Sequence, residues 1–298
     1  MSWSAVNPGA LEAPRFERYR TRSVGLYCAV AGPEKGPLVV LLHGFPEFWY
    51  GWRGHIESLA AAGYRVVAPD QRGYGRSDKP RRVRDYKIDT LAQDVVDLID
   101  ALGYEKASVV GHDWGAAVAW WTALKHPNRV DRMVALNVPH PAVMRKYVLG
   151  NPEQLKRSWY MFFFQLPRVP ERVFMRDGGA TQFNNLVKAS APGAFTRDDE
   201  SRYLDAWAQP GAMQSMMNWY RAAIRYNAKG LGSELQVRVP ALVLWGEKDE
   251  VLLASMARES LDYCDDGALR YFPRAGHFVQ HDAREEVLAE LLSFLPRV

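Results

Sequence analysis

The sequence predicts an α/β fold, a mostly parallel sheet flanked by helices, interrupted by an inserted helical segment. Three observations carry this expectation. Short apolar runs of strand length alternate with stretches of helical period from about residue 38 to residue 136. Such an order calls for parallel strands joined by crossover helices. The alternation breaks at Val138-Pro139-His140-Pro141, and from there to about Val237 the pattern is helical and dense in Trp, Phe, Tyr and Met. It resumes at Ala241-Leu242-Val243-Leu244-Trp245. The expected division is a core of residues 1–138 and 238–298 and an α-helical cap of residues 139–237.

Taken in order, Phe16–Tyr19 and Val24–Val30 read as antiparallel strands of a hairpin. Leu38-Val39-Val40-Leu41-Leu42 is continuously apolar, as a strand buried on both faces should be. A helix is expected from about Trp52 to Ala62 and a strand at Tyr64–Ala68. Leu91, Val95, Leu98, Ile99 and Leu102 have helical spacing, with Asp89 as the expected N-cap. Ser108-Val109-Val110 is a strand, followed by a helix ending near His126-Pro127 and a strand at Met133–Leu136. After the insert come strands at Ala241–Trp245 and Leu269–Tyr271, a helix near Met256–Leu261 and a last helix from Ala283 to Phe294.

At 298 residues and 48% hydrophobic, the chain can bury a sizeable core. A net charge of +4 with no basic run interleaved with aromatics gives no signal for nucleic acid. The run Lys79-Pro80-Arg81-Arg82-Val83-Arg84 reads as a solvated loop. Two cysteines, Cys28 and Cys264, make neither a disulfide framework nor a metal site. No signal peptide is visible in the first twenty residues. The longest greasy patch, Trp159–Phe164, is far short of the roughly 20 residues that span a bilayer. The expectation is a cytoplasmic protein with no membrane partner, monomeric or homodimeric, with no cofactor and no metal.

The chemistry concentrates in Ala107–Ala119, ASVVGHDWGAAVA. A β-branched strand runs into Gly111-His112-Asp113-Trp114-Gly115 and then directly into an alanine-rich helix. Glycines two before and two after one residue fit the strand–turn–helix elbow that lifts a nucleophile above a parallel sheet. The lifted residue is Asp113 rather than serine. Serine attacking saturated carbon would leave an ether, whereas a carboxylate leaves an alkyl ester that water can cleave. The elbow therefore points to epoxides or alkyl halides. The plainer alternative, Asp113 as a helix cap, does not require both glycines.

In this architecture the nucleophile is followed in the chain by an acid and then a histidine. His277, in Gly276-His277-Phe278, fits the histidine; His281 is the rival and reads as a solvated residue at a helix start. Gly246-Glu247-Lys248-Asp249-Glu250 offers three acids, of which Asp249 is favoured because the turn after the strand can swing it toward His277. Asn137, at the other position an acid might take, carries no charge. His43-Gly44-Phe45-Pro46 is the loop expected to give one oxyanion N–H, from Phe45, while Trp114 gives the other. Phe45, Pro46 and Trp114 are also expected to line the pocket, and His43 to be a structural hydrogen-bonder.

Together, HGFPEFWYGWR (His43–Arg53), RGYGRSDKP (Arg72–Pro80), GHDWGAAVAW (Gly111–Trp120), NVPHP (Asn137–Pro141), NWYR (Asn218–Arg221), GEKD (Gly246–Asp249) and GHFVQ (Gly276–Gln280) resemble the epoxide hydrolases of the α/β-hydrolase fold, over nearly the whole chain from about residue 20. The resemblance implies a catalytic triad of Asp113, Asp249 and His277. It further implies two cap tyrosines, Tyr160 and Tyr220, that bind the epoxide oxygen and donate a proton. A phenol stays protonated at neutral pH and can do this. The implied partners are a hydrophobic epoxide and water. The alternatives are a haloalkane or haloacid dehalogenase built on the same Asp elbow, which would need halide-binding N–H donors instead of phenols, and a non-catalytic ligand-binding member, which a complete triad disfavours.

Overall fold

Among the described residues, eight strands form one sheet: β1 (Arg15–Arg20), β2 (Gly25–Ala31), β3 (Leu38–Leu42), β4 (Arg65–Pro69), β5 (Ala107–His112), β6 (Val130–Leu136), β7 (Ala241–Gly246) and β8 (Gly267–Phe272). The structure, a computed structural model, describes residues 13–226 and 235–298. The first residues of the expected leaderless terminus (1–12) and the end of the insert (227–234) lie outside the described residues. The strand order is β1-β2-β4-β3-β5-β6-β7-β8. The hairpin β1–β2 adds antiparallel to β4, and all pairs from β4 to β8 are parallel.

β3, β4, β5 and β7 are buried along their whole length because helices cover both faces. On one face, Ile56 and Leu59 of α1 (Arg53–Ala61) pack with Val39, Leu41, Val66 and Val110. On the other, Leu91, Val95 and Leu98 of α2 (Ile88–Ala101) and Val118 of α3 (Trp114–Lys125) pack with Val40, Leu42 and Val109. The alternate residues of each strand thus point to different cores, as the pleat requires. Asp89 does not cap α2, contrary to expectation. The helix begins at Ile88, and Asp89 accepts the indole N–H of Trp121 at 2.7 Å. A buried indole needs an acceptor, and here that need takes the carboxylate.

Between β6 and β7 lie α4 (Pro141–Gly150), α5 (Pro152–Arg157), α6 (Trp159–Phe163), α7 (Val169–Phe174), α8 (Ala180–Lys188), α9 (Arg197–Ala208) and α10 (Ala212–Arg225). These helices are tied to the loops at the carboxyl end of the sheet. The Trp207 indole donates to the Pro46 carbonyl at 2.6 Å, the Trp219 indole to the Arg72 carbonyl at 3.0 Å, and the Tyr203 hydroxyl to Glu47 at 2.7 Å. After β7 come α11 (Ser255–Ser260), α12 (Val279–Asp282) and α13 (Arg284–Phe294), the last packed beside α1. Cys28 and Cys264 are free thiols. Among the described residues, no helix is long and apolar enough to cross a membrane.

Candidate active site

The turn from β5 into α3 holds Asp113 at φ 49°, ψ −122°, a conformation that an L-residue adopts only under strain. The glycines around it explain how the turn closes. A Cβ on Gly111 would run into the backbone of Gly115, and one on Gly115 would strike the carbonyls of Leu42 and His43. A Cβ on Gly44 would collide with the Asp113 side chain itself. Asp113 makes no side-chain cap bond to α3, so the helix-cap alternative fails.

Three side chains from three strand ends meet here. His277, in the loop after β8, turns Nδ1 to Asp249 Oδ2 at 2.8 Å and Nε2 to Asp113 Oδ2 at 3.6 Å. Asp249 follows β7, and its other oxygen accepts the N–H groups of Val251 and Leu252 at 2.7 and 2.9 Å. Glu247 and Glu250, the competing acids, are exposed. Burial alone would lower the His277 pKa, but the charges of Asp249 and Asp113 outweigh it and push the imidazole up to about 10. Burial alone would raise Asp249, and His277 reverses this, holding its carboxyl below the usual range. With its pKa raised this far, His277 is an imidazolium at neutral pH, between Asp249 and Asp113.

The Phe45 N–H donates to Asp113 Oδ1 at 2.7 Å. The Phe45-Pro46 peptide is cis. His43 is buried and neutral: the Gln71 N–H donates to Nε2 at 3.0 Å, so Nδ1 carries the proton toward the Gly44 carbonyl at 2.9 Å. Burial pushes its pKa down to about 4.

Tyr220, on α10, and Tyr160, on α6, face each other with ring centroids 5.8 Å apart. Trp114 packs edge-on against Tyr220 at 5.1 Å, and Phe45 does so at 5.3 Å. Phe164 and Phe174 close the same aromatic group against Phe45, at 5.6 and 5.3 Å. Burial, and after it the negative charge of Asp113, raises both phenol pKa values well above 10. Both hydroxyls therefore keep their protons.

The structure also brings in residues that the sequence reading missed or misplaced. Asn137, at φ 52°, donates from Nδ2 to Asp249 Oδ2 at 2.7 Å and accepts the Gly246 N–H at 2.9 Å. The residue set aside for lacking charge thus buttresses the acid. His281 is not solvated: its Nε2 lies 2.7 Å from Glu47 Oε1, and its side chain is 6% exposed. Glu47 also accepts from Gln280 at 2.8 Å, and His112 Nδ1 lies 3.5 Å away. His112 Nε2 reaches the His277 carbonyl at 2.8 Å. Burial would raise Glu47, but the imidazoles of His281 and His112 hold it well below the usual carboxylate range. The sequence offers for this cluster only three polar residues inside the motifs, Glu47, His112 and Gln280.

A parallel sheet, an acidic elbow and a carboxylate–histidine pair in this chain order define an α/β hydrolase. The family model for the α/β hydrolase fold matches residues 37–283. The AB hydrolase superfamily protein YfhM of Bacillus subtilis is 43% identical, over 96% of this chain and 99% of that one. Epoxide hydrolase 1 of Caenorhabditis elegans is 36% identical, over 97% of this chain and 72% of that one. A crystal structure of Bacillus megaterium epoxide hydrolase with an inhibitor superposes with a TM-score of 0.85 at 29% identity, covering 93% and 99% of the two chains. This chain belongs to the α/β-hydrolase-fold epoxide hydrolase family.

Proposed function

We propose that this enzyme converts an epoxide to a vicinal diol through an alkyl ester on Asp113. The observation that carries the reading is two protonated phenols, Tyr220 buried and Tyr160 partly buried, facing each other within the influence of the Asp113 charge. Asp113 Oδ1 is engaged by the Phe45 N–H, which leaves Oδ2 to attack a ring carbon. The ring C–O bond breaks and its electron pair passes to the epoxide oxygen. Tyr160 and Tyr220 hydrogen-bond that oxygen, and one of them gives it a proton. A halide needs no such proton, so the phenols favour epoxide opening over dehalogenation.

Esterification abolishes one of the two negative charges that hold His277 protonated. Its proton is then free to return, through the solvent, to the phenolate. Neutral His277, oriented by Asp249, takes a proton from water, and the hydroxide attacks the ester carbonyl carbon. The N–H groups of Phe45 and Trp114 receive the oxyanion, a contribution of about 3 kcal/mol per donor. Collapse releases the diol carrying the former Oδ2. The acid proton passes to the departing alkoxide, and the resting ion pairs re-form. Phe45, Pro46 and Trp114 line the substrate pocket, and the helices between β6 and β7 act as its cap. No cofactor enters the scheme.

The test is one turnover in heavy-oxygen water. The first diol formed should carry enzyme oxygen, and His277→Gln should accumulate an adduct of substrate mass on Asp113. Solvent oxygen in the first-turnover product refutes the ester. Halide release from haloalkanes with no turnover of aryl, alkyl or fatty-acid epoxides refutes the activity.

A further inference from the structure

The apolar run Trp159–Phe164 splits between two faces. Donating its N–H to the Gln154 carbonyl and accepting the Met161 N–H, Ser158 alone separates α5 from α6 and links them into one segment. Its inner face is Gln154, Ser158 and Phe164, at 0%, 1% and 4% exposure, with the Gln154 amide donating to the Val251 carbonyl at 3.0 Å. Its outer face is Leu155, Trp159 and Phe162, at 45%, 64% and 55%. Their spacing is one helical stripe. Leu166 in the following turn and Val169 and Val173 in α7 are exposed as well, at 46%, 43% and 49%. An unpartnered apolar stripe with a Trp at its centre is uncommon on a protein that stays alone in water.

Its charge says what fits it. Residues 141–188 contain eight Lys or Arg against three Asp or Glu, a surplus of five, whereas the whole chain has a surplus of only four. Glu153 is paired with Arg157 and Glu171 with Arg221. Lys156, Arg168, Arg172 and Arg176 are exposed and have no carboxylate partner among the described residues. Arg172 lies in α7 three residues after Val169, and Arg176 lies in the turn just after the helix, three residues after Val173.

We infer that this face docks on an anionic lipid bilayer, with Trp159 and Phe162 seated at the headgroup level and Lys156, Arg168, Arg172 and Arg176 over the lipid charges. Apolar anchors among cations are the signature of a surface that lies on a membrane rather than crossing it. A second copy is a poor occupant. A two-fold contact sets a patch against itself, which here opposes like charges. The expectation of no membrane partner rests on the lack of a spanning apolar run, and short helices with one greasy face can lie on a bilayer without one. One consequence rests on the epoxide reading: α6 also carries Tyr160 inward, so docking would bring the site beside the phase in which apolar epoxides dissolve.

The test is sedimentation of the full chain with vesicles of phosphatidylcholine, with and without about one-third phosphatidylglycerol. Binding is expected only with the anionic lipid, and it should weaken in high salt. Trp159→Gln with Phe162→Gln should abolish it. Gln at positions 156, 168, 172 and 176 should reduce partitioning by a hundredfold or more, at about fivefold per cation. All six side chains are exposed, and thermal unfolding checks that each variant is folded. No binding to anionic vesicles overturns the inference, as does equal binding by the variants. Self-association that Trp159→Gln and Phe162→Gln abolish also overturns it, and gives the face to a second copy. Turnover of a dissolved epoxide, read without vesicles, keeps the two claims apart. Its loss refutes the hydrolase reading alone, and loss of vesicle binding with turnover intact refutes this one alone.

Discussion

Replacing Asp113 by Asn tests how the two half-reactions are coupled. The substitution keeps the shape of the side chain and removes one of the two charges beside His277. The lost attraction acts over 3.6 Å. At an effective dielectric of about 20, it is worth about 5 kcal/mol, or roughly 3 pH units of imidazole titration. Opposite charges at such distances typically move a pKa by about 1–3 units. The His277 midpoint, about 10 in the intact site, should therefore fall to about 7–9. Nitrogen-15 NMR of the imidazole reads this directly, with the resonance assigned by its loss in His277→Gln. The stability effect has a definite sign. The folded value lies above the unfolded 6.5, so the ion pairs stabilise the fold fully below pH 6.5 and cease to do so as pH rises through about 10. In the variant that loss should come at a lower pH. A midpoint that stays near 10 means that Asp249 alone holds the proton, and esterification of Asp113 then cannot release it.

Tyr160→Phe and Tyr220→Phe should each slow single-turnover alkylation by about 1–3 kcal/mol, the cost of an unmade bond to developing charge; a double variant that opens epoxides at the wild-type rate shows the wrong acids were chosen. Glu47→Ala strands the Tyr203 hydroxyl, the Gln280 amide and the His281 imidazole. It should cost about 3–5 kcal/mol in chemical denaturation. Because the Glu47 pKa is depressed, the difference from wild type should be full above pH 4.5 and shrink as pH falls below it; a difference that grows in acid contradicts the assignment. Tyr74 has a buried hydroxyl with no hydrogen-bond partner among the described residues. Tyr74→Phe should leave the melting temperature unchanged or raise stability by about 1 kcal/mol; a clear loss would mean that the hydroxyl holds a water.

Asp113 was legible because its constraint is local. Two glycines in five residues report a turn that leaves no room for Cβ atoms, and that crowding depends on the immediate neighbours. His277 and Asp249 were legible from chain order, since loops at the same end of a parallel sheet converge. Glu47 and His281 were not, because their bond spans 234 residues and nothing near either one marks it. Seen alone, a histidine at a helix start looks solvated; its buried carboxylate lies at the other end of the chain. Asn137 was misjudged for a related reason. Charge was the criterion, while the site needed a donor to the acid and a side chain tolerant of φ 52°. Asp89 shows local propensity losing to a tertiary partner, the Trp121 indole.

The Glu47 cluster also bears on how the molecule comes apart. One carboxylate is gripped by Tyr203 from the inserted helices, by Gln280 and His281 from the last part of the chain, and is faced by His112 from the strand before Asp113. Peeling the inserted helices away would take the Tyr203 hydroxyl from a buried anion and let water in beside it. A partly opened form with the sheet intact is thereby penalised, so helices and sheet should melt together. Calorimetry should record a single cooperative transition, in which the chain behaves as one folding unit although its sequence reads as two.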